Sequence, residues 1–157
     1  MAPSKKIIII GGGQSAAYAA KEIRGLDTDC ELTIISEEAT LPYERPPLSK
    51  DYLLDKMNFE QCLFFPQKFY DQGNINFIKN KNINLVDFKK KKLHSQQDST
   101  YTYDKLLIAT GSRNNKLQID GLKENDENVI YLRTIKESST IKEKIKKSNK
   151  IVIVGGG

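Results

Sequence analysis

The sequence predicts an α/β protein: a parallel sheet covered by helices, with a small antiparallel β-meander beside it. Three observations carry that expectation. A fully apolar, β-branched run, Ile7–Ile10, leads straight into Gly11-Gly12-Gly13. A helix-favouring stretch and a second apolar run follow, completing a strand–helix–strand unit in about thirty residues. Between Ile75 and Tyr103, short strand-like runs alternate with turn residues.

Each element has its own reason. Four consecutive isoleucines suit a strand buried on both faces of a parallel sheet. From Gln14 to Arg24 the residues favour helix, and Ala16, Ala17, Ala19 and Ala20 are small enough to pack closely on that sheet. Gly25 is placed to end the helix. Glu31–Ser36, with Leu32, Ile34 and Ile35, predicts a second parallel strand. Leu41–Ser49 is different in kind, because Pro42, Pro46 and Pro47 oppose regular helix or ladder and predict a fixed loop. A mixed helical region is expected from Lys50 to Gln72, interrupted at Pro66. The runs Ile75–Ile78, Ile83–Phe88, Leu93–Ser95 and Tyr101–Tyr103 predict the meander, with Gln97-Asp98-Ser99 as a turn. Leu106–Ala109 predicts another buried strand, ending at Thr110-Gly111-Ser112.

The last heptad, Ile151-Val152-Ile153-Val154-Gly155-Gly156-Gly157, repeats the opening one 144 residues later. The expected organisation is a first nucleotide-binding segment over 1–115, a connecting segment over 116–150, and the first strand and glycine loop of a second such domain over 151–157. On this expectation the chain is the truncated N-terminal part of a longer protein, with Gly155 and Gly157 belonging to a second nucleotide site.

Bulk properties set limits. At 157 residues the chain is long enough for one domain with a real core. Its net charge of +5 sits largely in Lys89–Lys92 and in the stretch from Lys142 to Lys150. Such runs are either solvated surface or a docking face for an acidic partner, and charge alone does not separate the two. Cys30 and Cys62 lie 32 residues apart, without the spacing of a local redox disulfide or a zinc site. No metal is expected, and a reducing, cytoplasmic compartment fits. The four-residue apolar run at Ile7–Ile10 is neither a signal-peptide core nor a membrane span, so no membrane partner is expected. His94 is expected to be exposed and is assigned no role.

The glycine loop carries the chemistry. Backbone N–H groups at a helix N-terminus bind a pyrophosphate, helped by the positive end of the helix dipole, and glycines let the phosphates approach. In the pattern GxGxxA, Gly11 makes the turn, Gly13 admits the phosphates and Ala16 permits tight helix–strand packing. Gly11, Gly12, Gly13, Gln14, Ser15 and Ala16 therefore form the expected cradle of a dinucleotide. An acid at the end of the second strand should bind ribose hydroxyls. Glu37 stands there, 26 residues after Gly11, with Glu38 as a second candidate. An acid at this point disfavours a 2′-phosphate in the first site.

Leu41-Pro42-Tyr43-Glu44-Arg45-Pro46-Pro47-Leu48-Ser49-Lys50 resembles the LPYxRPPLSK signature of the ferredoxin-reductase-like flavoproteins. These include putidaredoxin and rhodocoxin reductases, reductase components of aromatic dioxygenases, and apoptosis-inducing factor. Tyr103–Ser112 is similar to their YDxLLIATGS segment, and Tyr131-Leu132-Arg133-Thr134 to their YLRT. The resemblance implies a Rossmann-like, three-layer FAD-binding fold, with FAD as cofactor and NAD(P)H as electron donor to the complete protein. It implies that Arg45 meets the pyrophosphate or ribityl region and that Lys50, paired with an acid, stands near flavin N5. Pro46 and Pro47 would stiffen that loop. Ile83 and Asn84 would flank the adenine, Ala109, Thr110 and Gly111 would close over the cofactor, and Arg133 would reach it from the connecting segment. With no CxxxxC disulfide, electrons are expected to pass from flavin to a ferredoxin or similar iron–sulfur protein. The chain by itself is expected to be inactive and to hold FAD weakly. A signalling role like that of apoptosis-inducing factor, another acceptor such as that of a monodehydroascorbate-type reductase, and a plain nucleotide-binding module remain alternatives. Nucleic acid is not the expected partner.

Overall fold

The computed structural model describes residues 4–123 and 126–155. It divides into two compact units, one of Met1–Glu44 and Leu63–Gly111, the other of Arg45–Cys62 and Ser112–Gly157.

The first unit is built on a four-stranded parallel sheet of β1 (Lys6–Ile10), β2 (Glu31–Ile35), β3 (Ile75–Ile78) and β7 (Lys105–Ile108), in the order β3-β2-β1-β7. The centre of the sheet is the unit expected from the first thirty residues. β1 runs parallel to β2 with Ile7 against Leu32 and Ile10 against Ile35, and helix α1 (Gln14–Leu26) connects them. Because side chains alternate across a strand, the isoleucines of β1 divide between two cores. Ile9 packs with Ala16 and Ala20 of α1 and with Leu32, Ile34, Tyr70 and Ile75. On the opposite face, Ile8 and Ile10 pack with Ile35, Leu93 and Tyr103. Ala16, Ala17 and Ala20 have no exposed surface, so the alanines do bring the helix close against the strands. Each fully buried isoleucine contributes about 1.5–3 kcal/mol of burial free energy.

A three-stranded antiparallel sheet of β4 (Ile83–Asp87), β5 (Lys92–Ser95) and β6 (Thr100–Thr102) supplies Leu93 and its neighbours to the second core. Between them, the parallel sheet, the helical side and the meander make three layers. Helix α3 (Gln67–Gln72) begins after Pro66 and buries Tyr70, which meets Phe69 and Phe77 edge-on at 5.2 and 5.7 Å between ring centroids.

Several expectations are corrected. Ile75–Ile78 does not join the meander but pairs with β2, Leu32 against Ile75 and Ile35 against Ile78. The buried Ile75 side chain ties it to the core under α1. β7 is not a buried strand. Among the described residues it is one of the sheet's two edges, and its Leu107 and Ile108 are 37% and 53% exposed. α1 runs past Gly25 to Leu26 and is capped by Asp27, whose N–H donates to the Ile23 carbonyl at 2.8 Å. His94 is half-buried on β5, its Nδ1 3.3 Å from the Thr100 hydroxyl across the ladder.

In the second unit, Pro46–Ser49 is one turn of 3₁₀ helix and not irregular loop. Proline is tolerated where a helix begins, since its missing N–H would have no intrahelical partner there. Residues 50–57 make turns, and the regular helix in this stretch is only α2 (Phe59–Cys62). Helix α4 (Ile135–Ile145), which the sequence reading omitted, is the largest element here. Ile151–Val154 forms no strand. These residues are 55–87% exposed and pair with no strand among the described residues, as befits a run whose stability as a parallel strand depends on neighbours on both sides. Gly157 lies outside the described residues.

Candidate dinucleotide-binding site

In the first unit the glycine loop is fixed from both sides of the sheet. The Gly11 N–H donates to the Ile35 carbonyl at 2.8 Å, and the Ala109 N–H donates to the Ile10 carbonyl at 2.8 Å. Gly11 has φ +125°, and a Cβ there would stand 2.1 Å from the Ala109 carbonyl oxygen. Only glycine satisfies both conditions. Gly12 is packed against Ser36, where a Cβ would come 2.2 Å from Oγ, and Ser36 is itself buried.

Gly13 is different. Its backbone is extended (φ −101°), and a Cβ there would meet nothing within 4 Å. Its bare Cα opens onto free space at the N-terminus of a thirteen-residue helix that has no side-chain cap and no acid in its first turn. An uncapped helix start beneath a glycine can present the amides of Gln14 and Ser15 to an anion, with the helix dipole aligned to favour it. The residues present therefore fit a pyrophosphate.

The two candidate ribose acids differ in their surroundings. Glu37 is exposed. Glu38 is half-buried and accepts a 2.6 Å hydrogen bond from the phenol of Tyr43, which is 1% exposed. Its backbone is tied as well: the Glu38 N–H donates to Ser36 Oγ at 3.1 Å, and its carbonyl accepts from the Asn80 N–H at 3.3 Å. Ile83 and Asn84 lie on β4 where its register with β5 shifts, Ile83 facing Ser95 and Leu85 facing His94. Thr110 and Gly111 are exposed just past β7, next to the Ala109 that abuts Gly11.

Arg45, Pro46, Lys50 and Arg133 all belong to the second unit. The Arg45 guanidinium donates to the Arg133 carbonyl at 2.7 Å, and the Arg133 guanidinium donates to Ser112 Oγ at 3.1 Å. Lys50 is exposed. The acid expected beside it is not found among the described residues. Of the acids that follow it in sequence, Asp51 and Asp55, the second is engaged elsewhere: Lys142 Nζ lies 2.7 Å from it and 3.8 Å over the Tyr52 ring. The Lys142 hydrogen bond and charge hold the Asp55 carboxyl below the usual carboxylate range.

Sequence reasoning missed the supports of this second group. Thr134 Oγ1 accepts from the Glu137 N–H at 3.3 Å, and the Glu137 carboxylate accepts from the N–H groups of Thr134 and Arg133 at 2.7 and 2.8 Å. The T-x-x-E spacing of Thr134 and Glu137 is the sequence signal of such a capping box and was available. For Tyr43 and Ser36 no local signal exists.

A parallel sheet with a glycine turn after its central strand, an uncapped helix behind it and an acid after the next strand define a dinucleotide-binding α/β protein. A family model described as pyridine nucleotide-disulphide oxidoreductase matches residues 5–157, and the chain belongs to that family. It is 39% identical over 168 residues to the seedling isozyme of monodehydroascorbate reductase from Cucumis sativus, covering 97% of this chain and 38% of that protein. It is 30% identical over 151 residues to rubredoxin-NAD(+) reductase from Pseudomonas putida, covering 96% of this chain and 39% of that one. Among solved structures, the NADH:rubredoxin oxidoreductase from Clostridium acetobutylicum superposes with a TM-score of 0.83 at 29% identity, over 99% of this chain and 39% of its own. The chain thus spans about two fifths of the length of the relatives it matches. Among the described residues, no helix is long and apolar enough to cross a membrane.

Proposed function

We propose that this chain contributes the FAD-binding half-site of an NAD(P)H-dependent flavoprotein reductase. The observation that carries the reading is the contrast within the glycine loop. Gly11 and Gly12 are filled in by the protein's own atoms, whereas Gly13 faces open space above an uncapped helix. The amides of Gln14 and Ser15 would take the pyrophosphate, and Glu37 the ribose. Arg45 would offer its fork to phosphate or ribityl oxygens, with Pro46 stiffening its turn. Ile83 and Asn84 would border the adenine, Ala109–Gly111 would close over the cofactor, and Arg133 would approach from the connecting segment. Lys50 would place a positive charge by flavin N5 and favour the reduced form. When bound, FAD accepts a hydride from a nicotinamide and releases electrons singly. The repeat at Ile151–Gly157 would open the nicotinamide site through Gly155 and Gly157.

For the acceptor, an iron–sulfur protein is supported by the likeness to rubredoxin-NAD(+) reductases. A second reading has its own support, since identity to plant monodehydroascorbate reductases is higher, at 38–41%. It replaces the protein partner with a small organic radical. Steady-state turnover of the protein from its complete reading frame, with both nicotinamides and with rubredoxin, ferredoxin and monodehydroascorbate as acceptors, decides between them. Turnover with rubredoxin or ferredoxin in clear excess over the radical supports the first reading, and the reverse supports the second. A purified protein that takes up no flavin overturns both.

A further inference from the structure

Helix α4 grips the segment Arg45–Lys50 at two points. Arg45 donates to the carbonyl of Arg133, the residue before the helix cap, whose own N–H is held by the Glu137 carboxylate. One turn into the helix, the Ser138 hydroxyl donates to the Leu48 carbonyl at 2.7 Å, and both residues are buried, at 0% and 1% exposure. Hydroxyls inside a helix commonly return to the carbonyl four residues back. Ser139 does so to Ile135 and Thr140 to Lys136. Ser138 directs its proton across to the 3₁₀ turn instead. That turn has few backbone donors of its own, because Pro46 and Pro47 offer no N–H. Its local hydrogen bonds run from the Leu48 N–H to the Arg45 carbonyl, 3.0 Å, from the Ser49 hydroxyl to the Pro46 carbonyl, 3.4 Å, and from the Lys50 and Tyr52 N–H groups to the Pro47 carbonyl, 2.9 and 3.0 Å. The Lys50 carbonyl accepts from the Leu54 N–H at 3.0 Å, and none of these bonds holds the Leu48 carbonyl. The Ser138 contact therefore anchors the middle of the turn, two residues before Lys50.

We infer that Ser138 is a positioning residue for Lys50: α4 fixes the Pro46–Ser49 turn before any cofactor arrives, so that the lysine is presented in one place. The inference rests on the reading of Lys50 as the cation beside the flavin. A side chain whose backbone is pinned loses less freedom when it meets its ligand.

The test uses Ser138→Ala, Lys50→Met and the double variant, made in the protein from its complete reading frame. Midpoint potentials are measured on the FAD-loaded forms, and amide exchange at Leu48 and Lys50 on the flavin-free forms. S138A is expected to lower the potential, K50M to lower it further, and the double variant to match K50M, as a double-mutant cycle shows for residues acting through one another. Exchange at Leu48 and Lys50 should quicken by about tenfold in flavin-free S138A, through easier local opening. If K50M lowers the potential and S138A does not, or if the two shifts add, Ser138 only packs. The inference then fails while the reading of Lys50 stands. If K50M leaves the potential unchanged, the reading of Lys50 fails and the inference with it. Should S138A not accumulate as folded protein, Ser138→Cys keeps the volume, weakens the donated bond and is read in its place.

Discussion

The phenol of Tyr43 meets the carboxylate of Glu38 at 2.6 Å and closes the loop after β2 back onto the acid at its head. Tyr43 is buried, and its backbone makes an isolated antiparallel bridge to Leu63. A hydrogen bond of this kind to a charged group contributes about 1.5–3 kcal/mol. Tyr43→Phe should therefore lower unfolding free energy by about that amount, as read by urea titration, with little change in the denaturant slope. A loss below 0.3 kcal/mol would mean the bond is not maintained in solution (about the scatter of such measurements).

The three glycines should separate folding from binding. Gly12→Ala drives a Cβ to 2.2 Å from Ser36 Oγ and should cost about 1–3 kcal/mol of stability. Gly11→Ala combines a φ of +125° with a backbone clash and should cost more. Gly13→Ala meets no atom within 4 Å, so its stability should stay within about 0.5 kcal/mol of the parent. Its FAD affinity should nevertheless fall by about tenfold or more, ~1.4 kcal/mol. Thermal melts and flavin titration of the complete protein check both halves.

Tyr70 is wholly buried and its hydroxyl finds no partner among the described residues. Burial disfavours the phenolate and pushes its ionisation well above the ordinary value of 10.0. The unfolded chain releases this proton near pH 10 while the folded one retains it, so the unfolded state binds fewer protons above that pH. Stability is then lost as pH rises, by about 1.4 kcal/mol per unit. Tyr70→Phe should match or exceed the parent in stability at neutral pH and should lack this part of the alkaline loss. Denaturation midpoints between pH 8 and 11 (about the phenol's usual titration range) give the comparison.

Arg24 is the knot at the C-terminus of α1. Its guanidinium reaches the carbonyls of Asp27, Thr28, Cys30 and Asn74 at 2.9–3.2 Å, joining the helix end to the start of β2 and to the residue before β3. Lysine cannot reproduce a planar fork serving several acceptors. Arg24→Lys should destabilise by about 2–4 kcal/mol, measured by thermal or chemical denaturation.

How much of this was legible depends on how local the cause is. The strand–glycine–helix opening could be read because each residue states its own constraint: β-branched Ile7–Ile10, bare Gly11–Gly13, small Ala16 and Ala20. The split of the isoleucines between two cores was implicit in the period of a strand. By contrast, Ile75–Ile78 looks the same whether it extends a meander or edges a parallel sheet, and its pairing with β2 is decided by residues forty positions away. Lys105–Ile108 has the composition of a buried strand, yet its position at the sheet edge leaves it exposed. Pro46 and Pro47 have the look of breakers, yet proline also begins helical turns. The contact of Ser138 with Leu48 joins residues ninety positions apart, and that of Tyr43 with Glu38, though only five apart, depends on how the loop between them closes; no residue pattern announces either.

The position of β7 has a practical side. Along Lys105–Ile108 the sheet turns half of its ladder groups outward, beside two exposed aliphatic side chains. Such an edge templates whatever extended segment reaches it first. Handled at high concentration, the chain will therefore tend to grow edge to edge, and its solubility will improve most from a lysine placed at Ile108, on the rim, and least from changes to its already basic surface.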